Sequence, residues 1–185
     1  MFGRSRKVDT EQELYDIAIR ALMRRAHSVS EMKKLLARRA DSELLARVVM
    51  ARLKESGKLD DALYAKQFVR QRTNIRRQGK FRIQRDLRAR GVPDRHIEAA
   101  LKAVSADNAD SVADEAALIR HRIDRKLKSL RGPNSAGMVD DKKIASLYRS
   151  LLRAGFPADA VRRQLKSITS ADLPDSSASE HDESA

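Results

Sequence analysis

Residues 80–101, KFRIQRDLRARGVPDRHIEAAL, and residues 144–165, IASLYRSLLRAGFPADAVRRQL, follow one pattern. In the first, Ile83 and Leu87 stand one helical turn apart, Gly91 follows, Pro93 comes next, and Ile97 and Leu101 repeat the spacing. In the second, Leu147, Leu151, Gly155, Pro157, Val161 and Leu165 occupy the same places, each 64 residues later. Apolar residues four apart share one face of a helix. Glycine closes a helix by taking a left-handed conformation, and proline opens the next because the first helical amide has no partner to lose. Six paired positions in register therefore predict a repeated helical unit.

The rest of the chain extends the pattern. A first helix is expected over about 11–26, with Leu14, Ile17, Ala18, Ala21 and Leu22 on one side. Ser28 and Glu31 have the spacing of a capping box for a second helix carrying Met32, Leu35 and Leu36. Asp41 or Ser42 starts a third, with Leu45, Val48, Val49 and Leu53, and Gly57 ends it. Met32 and Leu36 precede Ile83 and Leu87 by 51 residues, with Ala40 in place of the glycine. Asp60 caps a long helix over about 61–78, with Leu59 and Tyr64 placed as a hydrophobic staple. After a linker at 105–111, a long helix carries Ile119, Ile123, Leu127 and Leu130, and 131–135 read as a loop. The expected fold is all-α, an elongated, curved stack of three tandem three-helix repeats. The boundaries are a flexible basic arm over 1–10, repeats over 11–57, 58–105 and 106–168, and a disordered acidic tail over 169–185.

Composition agrees with helices. Hydrophobic residues make up 41% of the 185 residues but aromatics only 4%, so the core must be aliphatic. Seven Gly and four Pro are too few for the many tight turns of an all-β fold. The absence of cysteine excludes disulfides and thiolate metal sites. No stretch approaches the roughly 18 apolar residues of a membrane span, and the first residues lack the apolar run of a signal peptide. A cytoplasmic protein without membrane contact is expected.

The net charge is +13, and it is unevenly placed. The tail carries Asp172, Asp175, Glu180, Asp182 and Glu183 and no Lys or Arg, which leaves +18 on residues 1–168. Between Lys66 and Arg90 there are ten basic residues and one acid, Asp86. At about 100° per residue, Tyr64, Phe68 and Ile75 fall on one side of the long helix and Lys66, Arg70 and Arg77 nearly opposite. On the next helix Ile83 and Leu87 point one way, Arg82 and Arg85 the other. Tyr64, Phe68, Ile83 and Leu87 are expected in the core. Lys66, Arg70, Arg77, Arg82 and Arg85 are the expected contact residues for a polyanion, with Arg24, Arg25, Arg38 and Arg39 as a further set. Clustered cations bind phosphates with release of counterions, and arginine adds bidentate contacts. With few aromatics, contacts to single- or double-stranded DNA should go mainly to the backbone.

Catalytic patterns are missing. There is no phosphate-binding glycine loop, no nucleophile motif and no paired metal ligands. His27, His96, His121 and His181 are scattered, and Asp60-Asp61 reads as a helix start rather than a Mg²⁺ site. No enzyme activity, metal or cofactor is expected.

Three stretches stand out: Leu22-Met23-Arg24-Arg25-Ala26-His27-Ser28 with Glu31 and Leu35; Gly57-Lys58-Leu59-Asp60-Asp61 with Tyr64-Ala65, Phe68-Val69-Arg70 and Arg72; and Gly79, Ile83, Leu87 and Arg90-Gly91-Val92. Together they resemble the RecX family. The resemblance covers about 20–101 and weakens toward 168. Ala40 where a Gly is usual, the divergent third repeat and the acidic tail depart from the family pattern. The resemblance implies a regulator that lodges along the RecA–DNA filament and limits its recombinase, ATPase and coprotease activities in DNA repair and the SOS response; a monomer is expected. The alternative is a helix-turn-helix or non-specific DNA-binding protein. A helix-turn-helix is suggested by Ser28–Val49, although the helix from Ser42 is rich in Leu, Val and Ala and reads as core.

Overall fold

Helix starts follow the polar caps in the sequence. In the computed structural model, which describes residues 7–107, 111–130 and 141–171, Thr10 accepts the Glu13 amide to open α1 (Glu11–Arg24). Ser28 and Glu31 form the full capping box of α2 (Val29–Arg39). Ser42 rather than Asp41 caps α3 (Glu43–Glu55). Asp60 accepts two amides of α4 (Asp61–Asn74), from Ala62 at 2.7 Å and Leu63 at 3.3 Å. Each such cap stabilises its helix by about 1 kcal/mol. The remaining helices are α5 (Lys80–Ala89), α6 (Asp94–Asp107), α7 (Ser111–Leu130), α8 (Asp141–Arg153) and α9 (Ala158–Ala171). The fold is all-α. No helix among the described residues is long and apolar enough to cross a membrane.

The glycine-proline repeat is a repeated geometry. Gly91 and Gly155 have φ of +72° and +89°. Gly91 N donates to Arg88 O and Val92 N to Leu87 O; Gly155 N donates to Leu152 O and Phe156 N to Leu151 O. These are the two bonds of a Schellman closure, placed 64 residues apart. Gly57, at φ +65°, closes α3 in the same way.

The helices enclose three hydrophobic cores, of which the first has only aliphatic and methionine residues among its buried members. The first holds Leu14, Ala18, Met32, Leu36, Val49 and Leu53. The second holds Tyr64, Phe68, Ile83, Leu87, Ile97 and Val104, with α4 packed along α6. The third holds Ile119, Ile123, Leu147, Leu151, Phe156 and Val161. The first two cores lie in one compact unit, Met1–Arg76 with Ile83–Ala109. The third belongs to another, Arg77–Arg82 with Asp110–Ala185.

Several local expectations are corrected. Lys7–Thr10 is not a loose arm: Val8 forms an isolated parallel bridge with Ala40, donating to Arg39 O and accepting from Asp41 N, both at 2.8 Å. Residues 1–6 lie outside the described region, as do the loop at 131–135 and the tail from 172. Helix α9 continues to Ala171, three residues into the stretch read as tail. Helix α4 ends at Asn74, not Gln78, so Ile75 is 75% exposed instead of joining Tyr64 and Phe68. Leu59 and Tyr64 belong to different cores and do not form a staple. Val48 (42% exposed) and Leu44 (70%) face outward, because the buried stripe of α3 runs through Ala46, Val49, Met50 and Leu53.

Candidate nucleic-acid interface

The arginine groove of the first unit grows out of the capping box of α2. Helix α1 stops at Arg24, and Arg25 adopts an extended backbone that leads to Ser28. Glu31 reaches back to the Ser28 amide through Oε2 at 3.2 Å, as a capping box requires. The same oxygen accepts Arg25 Nη1 at 3.0 Å, and Oε1 accepts Arg90 Nη1 at 2.8 Å. One carboxylate thus serves a helix cap and two guanidinium groups. Burial pushes the Glu31 pKa up, but the hydrogen bonds from Arg25 and the Ser28 amide and the charges of Arg25 and Arg90 outweigh it. The group sits below its ordinary value.

Helix α4 supplies the other wall. Tyr64 and Phe68, one turn apart, have ring centroids 6.0 Å from each other. The Arg72 guanidinium lies over the Phe68 ring at 4.7 Å and that of Arg90 at 5.3 Å. Arg25, Arg72 and Arg90 line a groove of about 530 Å³ with Tyr64, Phe68, Gln67 and Gln71, and no carboxylate is among its lining residues. Burial raises the Tyr64 pKa against the pull of Arg90, so the phenol stays protonated.

The second unit gathers cations as well. Arg82 Nη1 reaches Arg153 O at 3.4 Å, and Arg122 Nη1 donates to Arg77 O at 3.0 Å. Burial, then the charges of Arg125 and Arg82, lowers the Arg122 pKa, which places these three guanidiniums in one field. Arg77 has φ +50°, off the end of α4.

The structure therefore distributes the nine expected contact residues. Lys66 is half-buried and Arg70 exposed on α4. Arg77 and Arg82 stand with the Arg122 group, while Arg85 is exposed in the first unit. Arg24, Arg38 and Arg39 are exposed on α1 and α2, and Arg38 Nε bonds Lys34 O. Of the nine, only Arg25 lines the groove. Arg72, Arg90 and Arg122 were missed as site residues. For Arg72 a signal existed: Phe68 and Arg72 at i and i+4 share a helix face. Asp60 and Asp61 are used by backbone amides, Asp60 as the cap and Asp61 on Val29 N at 2.9 Å. Among the described residues no cluster of His, Asp or Glu could hold a metal.

Fold and groove together define an all-helical, strongly cationic protein with guanidinium groups held in place by aromatic and carboxylate partners. Residues 60–101 match the family model for the second three-helix domain of RecX. The chain is 36% identical over 148 residues to regulatory protein RecX of Halorhodospira halophila, covering 80% of this chain and 83% of that one. It is 31% identical to regulatory protein RecX of Stenotrophomonas maltophilia strain R551-3, covering 87% and 90%. The crystal structure of RecX from Lactobacillus salivarius superposes with a TM-score of 0.65 at 20% identity, over 86% of this chain and 96% of that one. The chain belongs to the RecX family of regulatory proteins.

Proposed function

We propose that this protein binds the RecA filament on DNA and modulates it, mainly by inhibiting recombinase, ATPase and coprotease activity in DNA repair and the SOS response. The observation that carries this reading is a convergence. Arg25, Tyr64, Phe68, Arg72 and Arg90 line one groove, and Glu31 and Ser28 bond to Arg25 and Arg90 beside it; all seven belong to the three separate stretches resembling RecX. A net +18 outside the tail favours encounter with a polyanionic filament. The chain acts as a cytoplasmic monomer of three three-helix repeats, without enzyme activity of its own. Lys66, Arg70, Arg77, Arg82, Arg85, Arg24, Arg25, Arg38 and Arg39 contact RecA or DNA phosphates. Preference for one filament state limits the shift to the differential affinity for the two states.

The test is the ATPase rate of RecA on single-stranded DNA, titrated with this protein at fixed salt. Strong loss at protein levels well below RecA supports action on the filament. Loss only at levels that coat the DNA leaves a non-specific DNA-binding protein. A helix-turn-helix protein would instead select one motif from mixed genomic fragments.

A further inference from the structure

We propose that the groove between Arg25, Arg72 and Arg90 seats one nucleotide of a single-stranded nucleic acid, its phosphate on the guanidiniums and its base edge against the amides of Gln67 and Gln71. The inference deepens the DNA-contact part of the proposed function. It is tested on the protein alone, so that a failure of RecA regulation and a failure of this site are read separately.

Charge is the first ground. Three guanidiniums line the groove, while Glu31, which pairs with Arg25 and Arg90, is not among its lining residues. Like charges brought together against a protein wall repel more than in open water, and a bound anion relieves that repulsion.

Order is the second. Phe68 supports Arg72 and Arg90 from one side, and Glu31 fixes Arg25 and Arg90 by direct hydrogen bonds. Planar donors held this way lose little freedom when they close on a phosphate. Arginine planes also serve as stacking surfaces for unpaired bases.

Size and donor type distinguish the occupant. A groove of about 530 Å³ is far larger than a carboxylate needs and falls in the range of small-molecule sites. Gln67 and Gln71, one turn apart on α4, each offer two donors and an acceptor. A base edge presents both kinds of group, whereas an acidic side chain is acceptor only and would face the amide oxygens unpaired. In a duplex the Watson–Crick edges are taken, which selects a single strand.

The experiment measures binding of a fluorescein-labelled oligothymidylate by the full chain at fixed salt. Gln67→Glu with Gln71→Glu is nearly isosteric and places two negative charges in the groove. It should weaken binding about tenfold or more, from like-charge repulsion at close range. Ala145→Glu with Ser146→Glu, an equal added charge on the exposed side of α8, should change it much less. Gln67→Ala with Gln71→Ala adds no charge and should reduce the preference for single-stranded over duplex DNA of the same length. A strand carrying 5-iodouracil should photo-crosslink to the α4 peptide. Equal losses from the two charge pairs, an unchanged strand preference in the alanine pair, or crosslinks confined to other segments would overturn the proposal. So would displacement of the strand by poly-glutamate as readily as by unlabelled oligothymidylate, which would assign the groove to an acidic protein segment.

Discussion

The hydroxyl of Ser28 donates to the main-chain carbonyl of Arg90 at 2.6 Å. Ser28 is completely buried, and its oxygen also accepts the Glu31 amide at 3.1 Å. One side chain therefore caps α2 and ties it to the turn that closes α5. Beside it, a Cβ on Gly91 would overlap Ser30 Oγ. The second unit has a matching joint: Gly79 N donates to Ala154 O at 2.9 Å, and a Cβ on Gly155 would overlap the Arg82 amide. Ala154 and Gly155 are the counterparts of Arg90 and Gly91 at the 64-residue offset. The glycine thus has two duties, a left-handed helix closure and a close approach to another helix start.

Replacing Ser28 should therefore cost more than a surface cap. Ser28→Ala removes the cap and leaves the Arg90 carbonyl without this buried donor, an expected loss of about 2–3 kcal/mol. Gly91→Ala forces an L side chain to φ +72° and against Ser30, and should cost at least as much. Urea unfolding of both variants checks this; a loss below about 0.5 kcal/mol for Ser28→Ala, the range of ordinary surface changes, would contradict the shared role.

Glu31 makes the first unit acid-sensitive. Its folded pKa lies below the ordinary glutamate value of 4.5, so its stabilising contribution is present above that value and is lost as pH falls through the lower, folded pKa. Urea midpoints of wild type and Glu31→Gln should differ most above pH 4.5 and approach each other below it. A constant difference down to low pH would place the Glu31 effect outside its charge.

Reversing charge at Arg70 and Arg77 should abolish inhibition of the RecA ATPase while leaving far-ultraviolet circular dichroism unchanged. Retained inhibition would remove these residues from the contact surface. Arg77→Gly separates charge from backbone strain. Arg77 is the sole non-glycine residue at positive φ among those described. Glycine there should raise stability by up to about 1 kcal/mol while weakening polyanion binding.

Truncation after Ala171 removes five acids and no Lys or Arg, raising the net charge, with His neutral, from +13 to +18. Affinity for DNA should rise at low salt, and the gain should shrink as salt screens the charges. Titrations at two salt concentrations check this. An unchanged affinity at low salt would show that the tail charge does not reach the binding surface.

The local sequence determined most of the helices, because caps, glycine closures and apolar spacing act within a turn or two. Ser28 with Glu31, Asp60, Gly91-Val92-Pro93 and Gly155-Phe156-Pro157 were all readable before any packing was known. Boundaries were less so. Nothing between Asn74 and Gly79 forbids a helix, yet the chain leaves α4 at Ile75 and passes through a left-handed Arg77. Along α3 the Leu and Val residues surround the helix, and only the neighbouring helices decide which stripe is covered. The same holds for the site. A basic run from Lys66 to Arg90 was legible as charge, but charge spacing carries no information about partners 40 or 60 residues away. Tertiary packing alone brought Arg25, Arg72 and Arg90 to one carboxylate and one aromatic ring, and set Arg77 and Arg82 beside Arg122, since long-range contacts depend on how whole helix faces bury rather than on any local propensity.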